Sequence, residues 1–253
     1  MTMRLGTLLK KELLEYWRTY RAVVLGVVFV VFGILSPAAA RYMPDILATL
    51  DTQGMVIQLP PPTVADANAQ FVKNMSQIGA IVLILIAMGA VSRERDKGTV
   101  AFTLSKPVPR GAFLLSKALA LLIVTWAALA LAAIVHAYYT WLLLGPLPLG
   151  RCAVMAALVG VYLTALLAIT FLGSTLTKSL AVSAAVGFGG YLLISLLGAI
   201  PRLAPYLPGD LLGRALAAGN GAPQMAWGGF ISALVIAVVC WVAAWLAFRR
   251  VEL

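Results

Sequence analysis

Residues 118–143 read ALALLIVTWAALALAAIVHAYYTWLL, without one Asp, Glu, Lys or Arg. A helix rises about 1.5 Å per residue, so about 20 apolar residues cross the roughly 30 Å hydrocarbon core of a bilayer. This stretch is long enough to do so. Five further runs share its character, at 22–40, 75–91, 152–176, 180–200 and 227–248, and none of them carries an ionisable acid or base of those four types. The run at 75–91 is the shortest, and its helix is expected to begin earlier, in the amphipathic stretch before it.

The composition agrees with this reading. The 253 residues are 62% hydrophobic and 11% charged, against about 45–50% and about 25% in soluble domains. The sequence predicts an all-α integral membrane protein with one transmembrane domain over 1–253. The net charge of +10 would suggest nucleic acid in a soluble chain. Here the charges fall between apolar runs, so lipid is the expected surface and no nucleic-acid partner is expected. Five cations, Arg41, Lys73, Arg151, Arg202 and Arg214, lie on one side of the six predicted spans, and the other fourteen of nineteen lie on the side of the termini. Lys and Arg accumulate in cytoplasmic loops, so both termini are expected in the cytoplasm; the membrane expected is a prokaryotic inner membrane.

Residues 1–21 carry charge throughout and lack the short apolar core of a secretory leader. Leu5, Leu8, Leu9, Leu13, Tyr16, Trp17 and Tyr20 recur at helical spacing, with Arg4, Lys11, Glu15 and Arg18 opposite. This pattern suits an amphipathic helix in the headgroup layer, either as a lipid anchor or as a lever onto a partner. The external loop 41–74 contains Pro44-Asp45, which can start a short helix over 46–50. Its stiff run at 60–62 is followed by Thr63, which can cap a helix from Val64. The second external loop, 201–226, has a Pro208-Gly209-Asp210 turn that can cap a short helix over 211–218.

The internal loop 92–117 reads SRERDKGTVAFTLSKPVPRGAFLLSK. Arg93, Glu94, Arg95, Asp96 and Lys97 alternate in charge, and Gly98-Thr99 can break a helix and cap the next turn. Val100, Phe102 and Leu104 add an apolar patch, and Pro107 and Pro109 stiffen the approach to Arg110. A charged rim around an apolar anchor has the anatomy of a docking site. By residue chemistry alone the charges could equally serve only to fix topology.

This loop resembles that of ABC-2-type permeases, the transmembrane subunits of ATP-driven transporters. Glu94, Arg95, Lys97, Gly98, Thr99, Ser105, Pro107, Arg110 and Lys117 match the family pattern, with Asp96 for the usual Glu and Val100 for the usual Leu. The resemblance implies a type V-like exporter domain and a coupling element at 93–104 seated in a separate ATPase subunit. It implies two ATPase copies that bind the ATP and Mg, and a second permease, most simply a homodimer. It also implies that the first and fifth spans meet across the dimer. Gly26, Gly33, Ser183, Gly187 and Gly190 are candidates there, since small residues let membrane helices approach. The same residues could instead serve packing within the chain.

No nucleotide site is expected in this chain. The stretch Gly173-Ser-Thr-Leu-Thr-Lys178-Ser179 lacks the Gly before Lys and follows an apolar span rather than a strand. His136 is the one histidine in the chain, without an acid in the spans, so a neutral ring bonded to a neighbouring backbone or hydroxyl group is expected. Cys152 and Cys240 have no redox or ligand spacing and read as packing residues. Met43, Met55 and Met75 are too irregular for a copper site. An intramembrane enzyme would need paired carboxylates, a His dyad or a metal cluster, and an ion-coupled carrier ionisable groups or broken helices; one His and no acid in the six spans argue against both. A non-transporting structural or signalling subunit with the permease fold remains the alternative.

Overall fold

The computed structural model describes residues 5–49, 60–99, 109–222 and 227–249. Every regular element among them is helical. Helix α1 (Leu5–Arg18) is amphipathic and buries Leu8, Glu12 and Tyr16 along one stripe. A sharp turn joins it to the first span, α2 (Arg21–Thr49). Tyr20 holds the turn in the left-handed region, at φ 59°.

The first span is longer than its sequence suggests. Pro44 does not start a new helix, because α2 runs through both Pro37 and Pro44. The expected short helix is the continuation of α2 as far as Thr49, and Leu50 lies outside the described residues. Proline lacks an N–H, so Pro37 leaves the Gly33 carbonyl without its helical donor. Gly33 packs hard against the third span, where an added Cβ would lie 2.8 Å from the Ala132 carbonyl oxygen.

Thr63 caps α3 (Val64–Asn74) through a reciprocal box with Asp66, as the sequence predicts. The chain continues through a π-helical turn, Met75–Gly79, into α4 (Ala80–Ala87), so the second span does begin in the amphipathic stretch. Asn74 donates to Ser36 Oγ at 3.0 Å, which ties this turn to the first span.

Short helix α5 (Ser92–Asp96) follows a break at 88–91. The third span, α6 (Arg110–Leu143), starts eight residues before the apolar run, so the internal loop is shorter than 92–117. The remaining spans are α7 (Leu149–Leu176), α8 (Leu180–Gly198) and α10 (Trp227–Arg249). Between the last two lies α9 (Asp210–Gly219), close to the helix expected at 211–218.

Helix α7 is central and packs against α6, α8, α9, α10 and α4. The first span packs on the third, and α1 lies across the third span's end. Among the described residues, six helices are long and apolar enough to cross a membrane, and the fifth and sixth are the least covered by the rest of the chain.

Candidate functional site

The break before α5 is organised by another helix. A continuous helix would pair the N–H groups of Val91 and Ser92 with carbonyls four residues back. Both donate instead to Ser174 Oγ on α7, at 2.9 and 3.0 Å. The Ser92 hydroxyl in turn donates to the Met88 carbonyl at 2.7 Å. One serine of the fourth span thus satisfies the orphan donors that begin α5. Arg95 reinforces the contact by donating to the Thr175 carbonyl. The Ser174–Thr175 pair belongs to the stretch that imitates a phosphate loop. It forms the last turn of α7 and a seat for α5.

Glu94 faces inward. Lys117, near the start of α6, donates to Glu94 Oε1 at 2.7 Å and to Glu12 Oε2 at 2.9 Å. Its ammonium also lies 5.1 Å from the centre of the Phe113 ring. Lys117 is 2% exposed and Glu12 3%, so this is a buried ion triad between α1, α5 and the third span. Buried charges persist only when their partners satisfy them, and here both anions share one cation. Lys11 closes the outer side, 3.1 Å from Glu12 and 3.7 Å from Glu94. Burial pulls the Lys11 ammonium pKa down, but Glu12, Glu94 and Glu15 more than offset this and hold it above its usual value. Burial pushes the neighbouring Tyr16 hydroxyl up.

The rest of the predicted coupling set divides by exposure. Arg93 is half-buried beside Gly89, whereas Asp96, Lys97, Gly98 and Thr99 are exposed. Gly98 ends α5 at φ 67°, the left-handed conformation that favours glycine. Thr99 Oγ1 donates back to the Glu94 carbonyl at 3.3 Å. Arg110 donates to the Arg249 carbonyl at 2.7 Å and binds the start of the third span to the end of the sixth. Phe113 stacks on Phe248 beside it, centroids 5.6 Å apart. Val100, Phe102, Leu104, Ser105, Lys106, Pro107 and Met55 lie outside the described residues.

The small-residue candidates do not gather on one outer face. Ser183 donates to the carbonyls of Ser179 and Gly173 within the chain. A Cβ on Gly187 would lie 2.5 Å from Thr170 Oγ1, and one on Gly190 2.7 Å from Ile169 Cγ2. The stripe on the fifth span therefore accommodates the fourth, and Gly33 accommodates the third. Of the five, Gly26 alone has open space beside it.

At the opposite end, His136 Nε2 lies 3.1 Å from Asn68 Oδ1, and Phe71 stacks on the ring with centroids 4.4 Å apart. Asn68 also donates to Asn220 Oδ1 at 2.9 Å, which links α3, the third span and α9. The side-chain amide is a partner the sequence did not anticipate, and the Gly33 backbone of the first span also interacts with the ring, as expected. Buried Cys152 donates to the Ala133 carbonyl at 3.3 Å and behaves as a packing residue.

The charge triad was missed in the sequence although a signal was present. Glu12 stands between Leu8 and Tyr16 at i,i+4 spacing, inside the apolar stripe. A carboxylate there requires a buried cation, and Lys117 borders the third apolar run.

Residues 7–207 match the model of a family described as ABC-2 family transporter protein. The chain is also 27% identical over 251 residues to an uncharacterized transmembrane protein, YxlG, of Bacillus subtilis (strain 168), with 97% of each chain covered.

Proposed function

The chain belongs to the ABC-2 transporter family, and from that premise we propose that it is the permease subunit of an ATP-driven exporter, moved by a separate ATPase that grips α5. The single observation behind this reading is the junction around Lys117. It ties α5 to α1 and the third span, while Ser174 ties it to the fourth. A push on the exposed tip at Asp96, Lys97, Gly98 and Thr99 is carried into the bundle through buried polar contacts. Glu94 and Arg95 then anchor the tip to the bundle, and the outward residues meet the motor. Phe102 and Leu104 belong to the same docking element, and Arg110 braces its far side.

In this reading two ATPase copies bind ATP and Mg, and two copies of this chain form the path. The termini and α5 face the cytoplasm of a prokaryotic cell membrane, in keeping with the excess of cations on that side. The two copies meet through the open faces of the first and fifth spans, where Val24, Val27, Gly26, Leu192 and Leu193 lie uncovered. Motion of α5 tilts the second span against the first, with the π-helical turn at Met75–Gly79 as a place for the tilt to be absorbed.

The test is co-expression with the ATPase encoded nearest to this chain. The intact complex is expected to purify together and hydrolyse ATP. Charge reversal, Glu94→Lys, is expected to leave membrane insertion intact and abolish the link between hydrolysis and export. Normal coupled activity in that variant contradicts the assignment.

A further inference from the structure

The corner where α1 turns into the first span carries more positive than negative charge. A cavity of about 280 Å³ opens there, lined by Lys11, Glu15, Arg21, Arg93, Glu94 and Lys97. Lys11 is matched by Glu12, Glu15 and Glu94 at 3.1, 3.6 and 3.7 Å. Glu94 is further held by Lys117. Among the described residues, no carboxylate lies within ion-pairing distance of Arg21 or Arg93.

The two residues nevertheless share this cavity. Arg21 lies 5.7 Å from the centre of the Tyr16 ring. Arg93 lines the same cavity as Arg21, and its Nε is buried without a hydrogen-bond partner. Its side chain folds back over Gly89, where a Cβ would come within 2.6 Å of Nε. The missing side chain at Gly89 is what lets Arg93 lie in this direction. Two cations on one cavity repel each other, and an anion between them offsets that repulsion.

We propose that Arg21 and Arg93 together bind a phosphate group. Guanidinium forks match phosphate oxygens in pairs. Exposed Trp17 and Tyr20 on the same corner mark the level of the bilayer interface, where phosphate is the abundant anion. The source is a phospholipid headgroup or a soluble phosphate, and the chemistry of recognition is the same for both. The site does not depend on the identity of the motor or on the direction of transport.

The experiment uses the full chain, delipidated in a maltoside detergent, which carries no phosphate. Thermal unfolding is followed during titration with short-chain phosphatidylglycerol or inorganic phosphate at fixed ionic strength, with chloride as control. One or both phosphate ligands should raise the midpoint where chloride does not. A rise with the lipid alone assigns a headgroup, and a rise with both assigns free phosphate as sufficient. Arg93→Gln and Arg21→Gln should each shift the response to about tenfold higher ligand. Gly89→Ala keeps both charges but displaces the flexible Arg93 side chain, and should weaken the response as well. Arg202→Gln, at the opposite end, should respond as the natural protein does. No rise with either ligand, an equal rise with chloride, or undiminished responses in the three corner variants overturns the proposal.

Discussion

Lys117 holds two carboxylates that come from two other elements, and all three groups are largely withdrawn from water. Lys117→Met would leave Glu12 dependent on Lys11, which is 46% exposed. Removing one partner of a buried ion pair costs about 3–5 kcal/mol, and a loss of that size is expected in detergent unfolding. Adding Glu12→Gln should restore part of it, because the buried charge then disappears with its partner. Equal stability of the natural protein and Lys117→Met would contradict the geometry. Lys11 titrates above its usual value in the folded chain. Its contribution is therefore complete below about pH 10.4, the unfolded value, and fades only as pH climbs through the higher folded one. The junction is expected to hold across neutral pH. At Gly33 the neighbour of an added Cβ is backbone, the Ala132 carbonyl oxygen at 2.8 Å. Gly33→Ala is expected to cost about 1–3 kcal/mol by overpacking, read in the same unfolding assay.

At the scale of elements, α5 owes its shape to contacts outside itself. It spans five residues, too few to be stable alone. Ser174 supplies its first donors with an acceptor, and Gly98 turns the chain at its end. Ser174→Ala leaves two buried N–H groups unpaired, each worth about 1–3 kcal/mol. The expected outcome is faster amide exchange across α5, with the other spans unchanged. Gly98→Pro is incompatible with φ 67°, since proline fixes φ near −65°. On the proposed coupling, insertion is expected to survive, and ATP hydrolysis by the partner should no longer drive transport. The sequence was legible where local chemistry decides the outcome. Thr63 and Asp66 announce a cap, and an uninterrupted apolar run announces a span. It was less legible where a distant helix decides. Nothing near Val91 in sequence points to Ser174, and Pro44 reads as a helix start until the helix before it is seen to continue through it.

For the whole molecule, the six spans and the crowding of cations on one side were readable because bilayer thickness and loop charge are simple constraints. The roles of the small residues were not, since a glycine stripe looks the same whether the partner helix is in the same chain or another. Here Gly187 and Gly190 serve the fourth span, and the uncovered surface of the fifth and sixth spans is large, with 17% and 11% of their most apolar 18-residue stretches buried. Two copies in one complex are expected by native mass spectrometry, and a Val27→Trp variant on the open face of the first span should lower the dimer fraction. An unchanged dimer would move the interface elsewhere. The most direct measurement concerns the exposed tip of α5. With Cys152 and Cys240 replaced by Ser, a single cysteine at Lys97 carrying a short photo-cross-linker is compared with one at Arg214, at the opposite end of the bundle. A separate motor gripping α5 requires that position 97 cross-link to the co-expressed ATPase and position 214 not do so. Cross-linking from position 214 with none from position 97 would contradict it.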